Sequence, residues 1–168
     1  MSLQNIQLSG DTITRLYTMP LVSMNIGQQS TAIRAEAVQD CRFLGSNKKN
    51  ITILVNTRDA SFLADQPFGF LTGILNACKL TMEDVALVNI NNLKDTGYAG
   101  IYKTTQPVIS LLFDVSPNNI GLPLQFPHFQ VHKYNDITYI FSPSLTVLEN
   151  DKPAKAALWN GLKTIFQL

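Results

Sequence analysis

Three short apolar runs mark the middle of the chain: Ile51-Thr52-Ile53-Leu54-Val55, Val85-Ala86-Leu87-Val88-Asn89-Ile90 and Val108-Ile109-Ser110-Leu111-Leu112-Phe113. Each is nearly continuous rather than alternating, the pattern of strands buried on both faces of a parallel sheet. Between the first two, Phe68, Leu71, Leu75 and Cys78 recur at helical spacing behind Asp65, Gln66 and Pro67. This predicts a helix over about residues 67–79, with Asp65 as its capping candidate. Strand, helix, strand in that order implies a right-handed parallel crossover. Thr81-Met82-Glu83-Asp84 has the form of a capping box around one helical turn.

Further along, Phe129–Tyr134 and Ile137–Phe141 are separated by Asn135-Asp136, a pair suited to a two-residue hairpin at the sheet edge. Asp151 and Pro153 then open a last helix whose apolar stripe is Ala154, Leu158, Leu162, Ile165 and Phe166. The expected fold class is therefore α/β, three-layered, with a mostly parallel central sheet and an antiparallel edge hairpin. The first fifty residues lack such a pattern. Leu16, Tyr17, Met19, Leu21, Val22 and Met24 are apolar but broken by Pro20, which predicts an extended arm over 1–30 ahead of one domain over 31–168. Such an arm either packs on the domain's own surface or binds a partner through Leu16, Tyr17 and Met19.

Composition narrows the function classes. With 168 residues, 45% hydrophobic and 15% charged, the chain has material for one sizeable core. No stretch approaches the roughly 20 apolar residues of a membrane span, and the start lacks the pattern of a signal peptide. A soluble, cytoplasmic protein is expected. The two cysteines, Cys41 and Cys78, are far apart and predict reduced, buried thiols rather than a zinc or redox site. A formal charge of +1 lacks the basic excess by which proteins neutralise a phosphate backbone, so direct nucleic-acid binding should be weak or absent. The Lys48-Lys49 pair between Asn47 and Asn50 is expected to be a solvated turn.

Candidate chemistry is sparse. His128 and His132 are four apart, but Pro127 and the alternation around them predict an extended strand, placing the two side chains roughly 13 Å apart and unable to share a metal. Ile120-Gly121-Leu122-Pro123 and Gly97-Tyr98-Ala99-Gly100 lack the spacing of a phosphate loop and are expected to be turns. Asp114, at the C-terminal end of a buried strand, lies where open α/β sheets bind ligands, although a turn role is the simpler reading. Asp59 and Asp65 are expected to shape the loop after the first strand.

Two segments carry a family resemblance. Phe68 to Ile90 resembles the helix, leucine-threonine turn and asparagine-ended strand of the uracil-DNA glycosylase superfamily. Ser142-Pro143-Ser144-Leu145, followed by Ala156-Ala157-Leu158-Trp159, is similar to the final strand, loop and tryptophan helix of both those glycosylases and the psi-subunit family of bacterial clamp loaders. The resemblance implies a glycosylase-like scaffold whose cleft has degenerated. Active glycosylases have His-Pro-Ser where Ser142-Pro143-Ser144 stands, and serine cannot become the cation that stabilises a leaving uracil anion. Their catalytic loop is replaced by Asn56, Thr57, Arg58, Asp59 and Ala60. Two cysteines also fall short of the four that an iron–sulfur cluster needs, so no cofactor is expected. The psi-like reading implies a non-catalytic adaptor contacting a clamp-loader ATPase subunit and a chi-like subunit. Its alternatives are a divergent glycosylase using Asp59 or Asp114 to position water, and a non-catalytic nucleic-acid-binding module.

Overall fold

The computed structural model describes residues 41–93 and 98–168. The expected arm, with Leu16, Tyr17 and Met19, lies outside the described residues. The described chain forms five strands, β1 (Ile51–Val55), β2 (Val85–Asn89), β3 (Ile109–Phe113), β4 (Val131–Tyr134) and β5 (Ile137–Ser142). Its helices are α1 (Asp65–Ala77), α2 (Tyr98–Thr105), α3 (Leu145–Asn150) and α4 (Lys152–Phe166), with two 3₁₀ turns at Ile90–Asn92 and Pro117–Ile120.

The strands make one sheet in the order β2-β1-β3-β5-β4. The first four are parallel, and β4 runs antiparallel to β5 at the edge. Asn135 and Asp136 both have positive φ, 49° and 62°, as a type I′ hairpin turn requires. The α/β class and the mixed sheet thus match expectation, and the predicted first strand matches β1 residue for residue.

Alternation along the strands splits the core. Ile51, Ile53, Val55, Leu111 and Phe113 face a cluster built with α1, α3 and α4. Leu54, Val88, Leu112 and Tyr139 face the other side, where Ile101 and Tyr102 of α2 pack with Val115, Ile120 and Phe126. At about 25 cal/mol per Å² of apolar surface, this two-sided burial is the main stabilising term. Gly161 lets α4 approach β5: a Cβ there would lie 2.3 Å from Ile140 Cδ1. Among the described residues no helix is long and apolar enough to cross a membrane.

The open edge of β2 is closed by the segment before β1. Leu44 and Leu87 exchange both backbone hydrogen bonds at 2.8 Å, and the Asn47 amide donates to the Val85 carbonyl at 3.1 Å. Gly45 makes this possible with φ +111°, and a Cβ there would stand 2.1 Å from the Val85 carbonyl oxygen. Gly45→Ala should therefore cost at least about 2 kcal/mol, read from chemical denaturation, because both the backbone conformation and the edge contact oppose a side chain. Lys48 and Lys49 occupy the turn, as expected, and pair with Glu83 and Asp84. The Thr81 amide donates to the Asp84 carboxylate at 2.9 Å and holds that carboxyl below its usual range. The threonine hydroxyl contacts the same carboxylate, so only the acidic half of the predicted capping box forms.

Several local expectations need correction: His128 and Phe129 lie in a turn ahead of β4 rather than in an extended strand, Phe129 with φ 65°. Asp65 is the first residue of α1, not its cap; Ala64 holds the cap position without a side-chain bond, and Asp65 instead places negative charge in the positive first turn. Tyr98, Ala99 and Gly100 begin α2 rather than a turn. That helix is short and contains Gly100 and two threonines, so its existence owes more to burial of Ile101, Tyr102 and Thr105 than to propensity. Ser144 caps α3, where a loop was expected. Ile90 leaves β2 and starts a 3₁₀ turn. By contrast, Asp151 caps α4 as expected, its Oδ1 accepting from the Ala154 amide at 3.1 Å.

Both cysteines are free and buried. Desolvation pushes the Cys41 thiol up from 9.0 to about 11 and raises that of Cys78. At pH 8 both should react far more slowly with a thiol reagent in the folded protein than after denaturation. The Cys41 contribution to stability is full below about pH 9, where the unfolded thiol is also protonated, and is lost as pH rises toward about 11.

Candidate functional site

In this strand order the chain leaving β1 goes to β2 on one side and the chain leaving β3 goes toward β4 and β5 on the other, so the topological switch point lies between the C-terminal ends of β1 and β3. Ligands of open α/β sheets bind there because diverging loops leave a crevice. The parallel β5 ends alongside, its Ser142 in register with Phe113, which is in register with Val55. Asn56 and Thr57 after β1, Asp114 after β3 and Ser144 after β5 are thereby brought together around one cavity.

That cavity is only about 30 Å³. It has room for about one water, whereas small-molecule sites usually measure about 300–1,000 Å³. Its volume is taken by Leu63 from the β1–α1 connection, Pro67 from the first turn of α1, Phe113 from β3 and Leu145 from α3. Phe113 and Leu145 belong to the main core cluster. The switch point is thus filled by hydrophobic side chains that also hold the sheet to α1 and α3.

Most polar groups near its rim are engaged in building the backbone, whereas the Asp114 carboxylate is exposed and has no hydrogen-bond or ion-pair partner among the described residues. Ser142 is buried, does not line the cavity, and its Oγ makes long 3.4 Å contacts with the carbonyls of Leu112 and Pro143. The Ser144 Oγ accepts from the Val147 amide at 3.3 Å. Asp114 has φ +57°, and its amide donates to the Ser142 carbonyl at 3.0 Å, tying β3 to β5. The Asn56 side chain contacts the Asp114 carbonyl at 3.4 Å and accepts from the Asn91 side-chain amide. Arg58 and Asp59 are exposed and do not line the cavity. Of the six residues expected in the cleft, three surround it and three do not.

The residue that organises this region is Asn89, whose structural role the sequence reading did not single out. It ends β2 with 1% exposure, a costly position for an unpaired amide. Its Nδ2 donates to the carbonyls of Thr57 at 2.8 Å and Ala60 at 3.1 Å. Its Oδ1 accepts from the amides of Thr57 and Asn91, both at 3.2 Å. One side chain therefore fixes the β1–α1 loop and starts the 3₁₀ turn after β2. The usable signal was a polar amide at the end of an otherwise apolar strand.

Elsewhere the histidines remain apart in role. His128 stacks on Phe141 with ring centres 4.3 Å apart, and His132 lies 4.7 Å from Phe126. Among the described residues no group of three or more histidine, cysteine or acidic side chains is placed to hold a metal ion. The chain matches no protein-family model, and no curated protein matches it.

Proposed function

We infer that this chain is a non-catalytic adaptor with a degenerate glycosylase-like scaffold, similar in role to the psi subunit of a bacterial clamp loader. The observation that carries the reading is the filled switch point. An enzyme that acts on a base extrudes it into a fitted pocket. A 30 Å³ space walled by Phe113 and Leu145 offers no such pocket. Three of the polar side chains near it are committed to structure: Ser144 to a helix cap, Asn56 to the neighbouring loops, and Ser142 to a buried strand end. The psi-like resemblance of Ser142-Pro143-Ser144 and of the Trp159 helix adds the direction, a partner in the replication machinery.

The proposed partners are the clamp-loader ATPase subunit and a chi-like subunit, with direct nucleic-acid binding weak or absent. Uracil-containing single-stranded DNA incubated with the full chain should release no more base than the protein-free control. Release that depends on Asp59 or Asp114 would instead establish the divergent-glycosylase reading. Steeply salt-dependent retention of DNA on filters would point to the nucleic-acid-binding module.

A further inference from the structure

The switch point is closed, but the same face of the sheet carries an open groove elsewhere. It runs between α1 and α4, has a volume of about 430 Å³, and is walled by Phe70 and Ile74 on one side and by Leu158, Trp159 and Leu162 on the other. Gly69, Gly73 and Ala77 lie along it on α1. Both glycines face open space: a Cβ built on either would meet nothing within 4 Å. Neither has the positive φ that would require glycine. Each weakens the helix by roughly 1 kcal/mol relative to alanine, and the internal packing gives no return for it. Their effect is to keep the groove wide.

Charge in the groove has one sign. Among the described residues Lys155 is the only charged side chain lining it, and no carboxylate does. The Lys155 ammonium lies 5.2 Å from the centre of the Phe70 ring and enters none of the ion pairs of the described residues. α4 as a whole carries Lys152, Lys155 and Lys163 and no acidic residue. An apolar trough within the usual size range of small-ligand sites, with one cation at its wall, complements an apolar molecule bearing one negative charge. The span from Gly69 to Ala77 is about 12 Å, the length of an extended chain of roughly ten carbons.

We propose that the α1–α4 groove binds a medium-chain fatty carboxylate, its chain lying along Gly69, Gly73 and Trp159 and its carboxylate paired with Lys155. This site is separate from the switch point and does not depend on the adaptor reading. Trp159 is the chain's single tryptophan and reports occupancy directly. Titration of the full chain with monomeric decanoate should shift Trp159 emission saturably. Decanol should bind about three- to fivefold more weakly, the range of one exposed ion pair, and decyltrimethylammonium more weakly still. Lys155→Gln should abolish the preference for decanoate over decanol. Gly73→Leu, which fills the groove and should favour the helix, should abolish the shift while leaving the thermal midpoint equal or higher. No saturable shift, equal binding of all three probes, or unchanged decanoate binding in Gly73→Leu would overturn the proposal. Adaptor function and decanoate binding fail independently, since the first is read by association with a partner protein and the second by Trp159 emission in the isolated chain.

Discussion

Asn89→Leu should lower the unfolding free energy by about 2–4 kcal/mol, although leucine is close in size and the site is buried. The loss comes from both ends of the amide. The Thr57 and Ala60 carbonyls lose a donor, and the Thr57 and Asn91 amides lose an acceptor. Groups of the loop can turn to water, but only by abandoning the path that brings Leu63 and Pro67 over the switch point. The hydrogen exchange of the Thr57 amide should therefore quicken by more than global destabilisation alone explains. Asn89→Asp separates the two halves of the effect: it keeps an acceptor for Thr57 and Asn91, loses the donor, and places a charge at a buried strand end. It should be at least as destabilising at neutral pH and should recover as the carboxyl is protonated. A cost below about 1 kcal/mol for Asn89→Leu would show that the loop is held by something other than this side chain.

Phe113→Ala should cost still more, about 3–5 kcal/mol in chemical denaturation. Phe113 is 2% exposed, ends β3, and is in register with both Val55 and Ser142. Its ring is shared between the core beneath α1 and α3 and the wall of the switch-point cavity. Removing it leaves a void that neighbouring strand ends cannot close, because their backbones are fixed by the ladder. The variant also tests the reading of the site. If bulk alone kept a base out, an enlarged cavity would allow some base release from uracil-containing DNA. The expected result is none, because Ser142 and Ser144 supply neither a cation nor a free hydroxyl aimed into the space.

Legibility followed the range of the forces involved. β1 and the hairpin were written in short runs and a turn pair whose physics is local: Ile51 to Val55 suits a strand buried on both faces, and Asn135-Asp136 accepts positive φ at both positions. Asp151 was likewise readable, since a cap acts within three residues. α2 was not, because its eight residues include Gly100 and two threonines and are held by tertiary burial. α3 is only six residues long, and its signal was the Ser144 cap followed by Leu145 and Leu148 one turn apart. Asn56, Thr57 and Ser144 do converge at the end of the sheet. That Arg58 and Asp59 turn outward, or that Ser142 is buried outside the cavity, depends on the paths of whole loops and leaves no local trace. The role of Asn89 joins residues about thirty positions apart, beyond any spacing argument.

The glycines show the same division. Gly45 is required by its positive φ and its approach to the Val85 carbonyl, and Gly161 lies where a Cβ would displace the Ile140 side chain. At Gly69 and Gly73 an added Cβ would meet nothing within 4 Å among the described residues, a difference that no sequence pattern distinguishes and that directs attention to the groove rather than to the switch point.

The central claim, that a scaffold with a filled cleft serves as an adaptor, is tested most directly by association. Purified full-length chain mixed with the clamp-loader ATPase subunit of the same cell should sediment as a stoichiometric complex. The complex should survive Ser142→Ala and Asp114→Asn, since neither residue is given a chemical role. Independent sedimentation of the two proteins across micromolar concentrations would contradict the account.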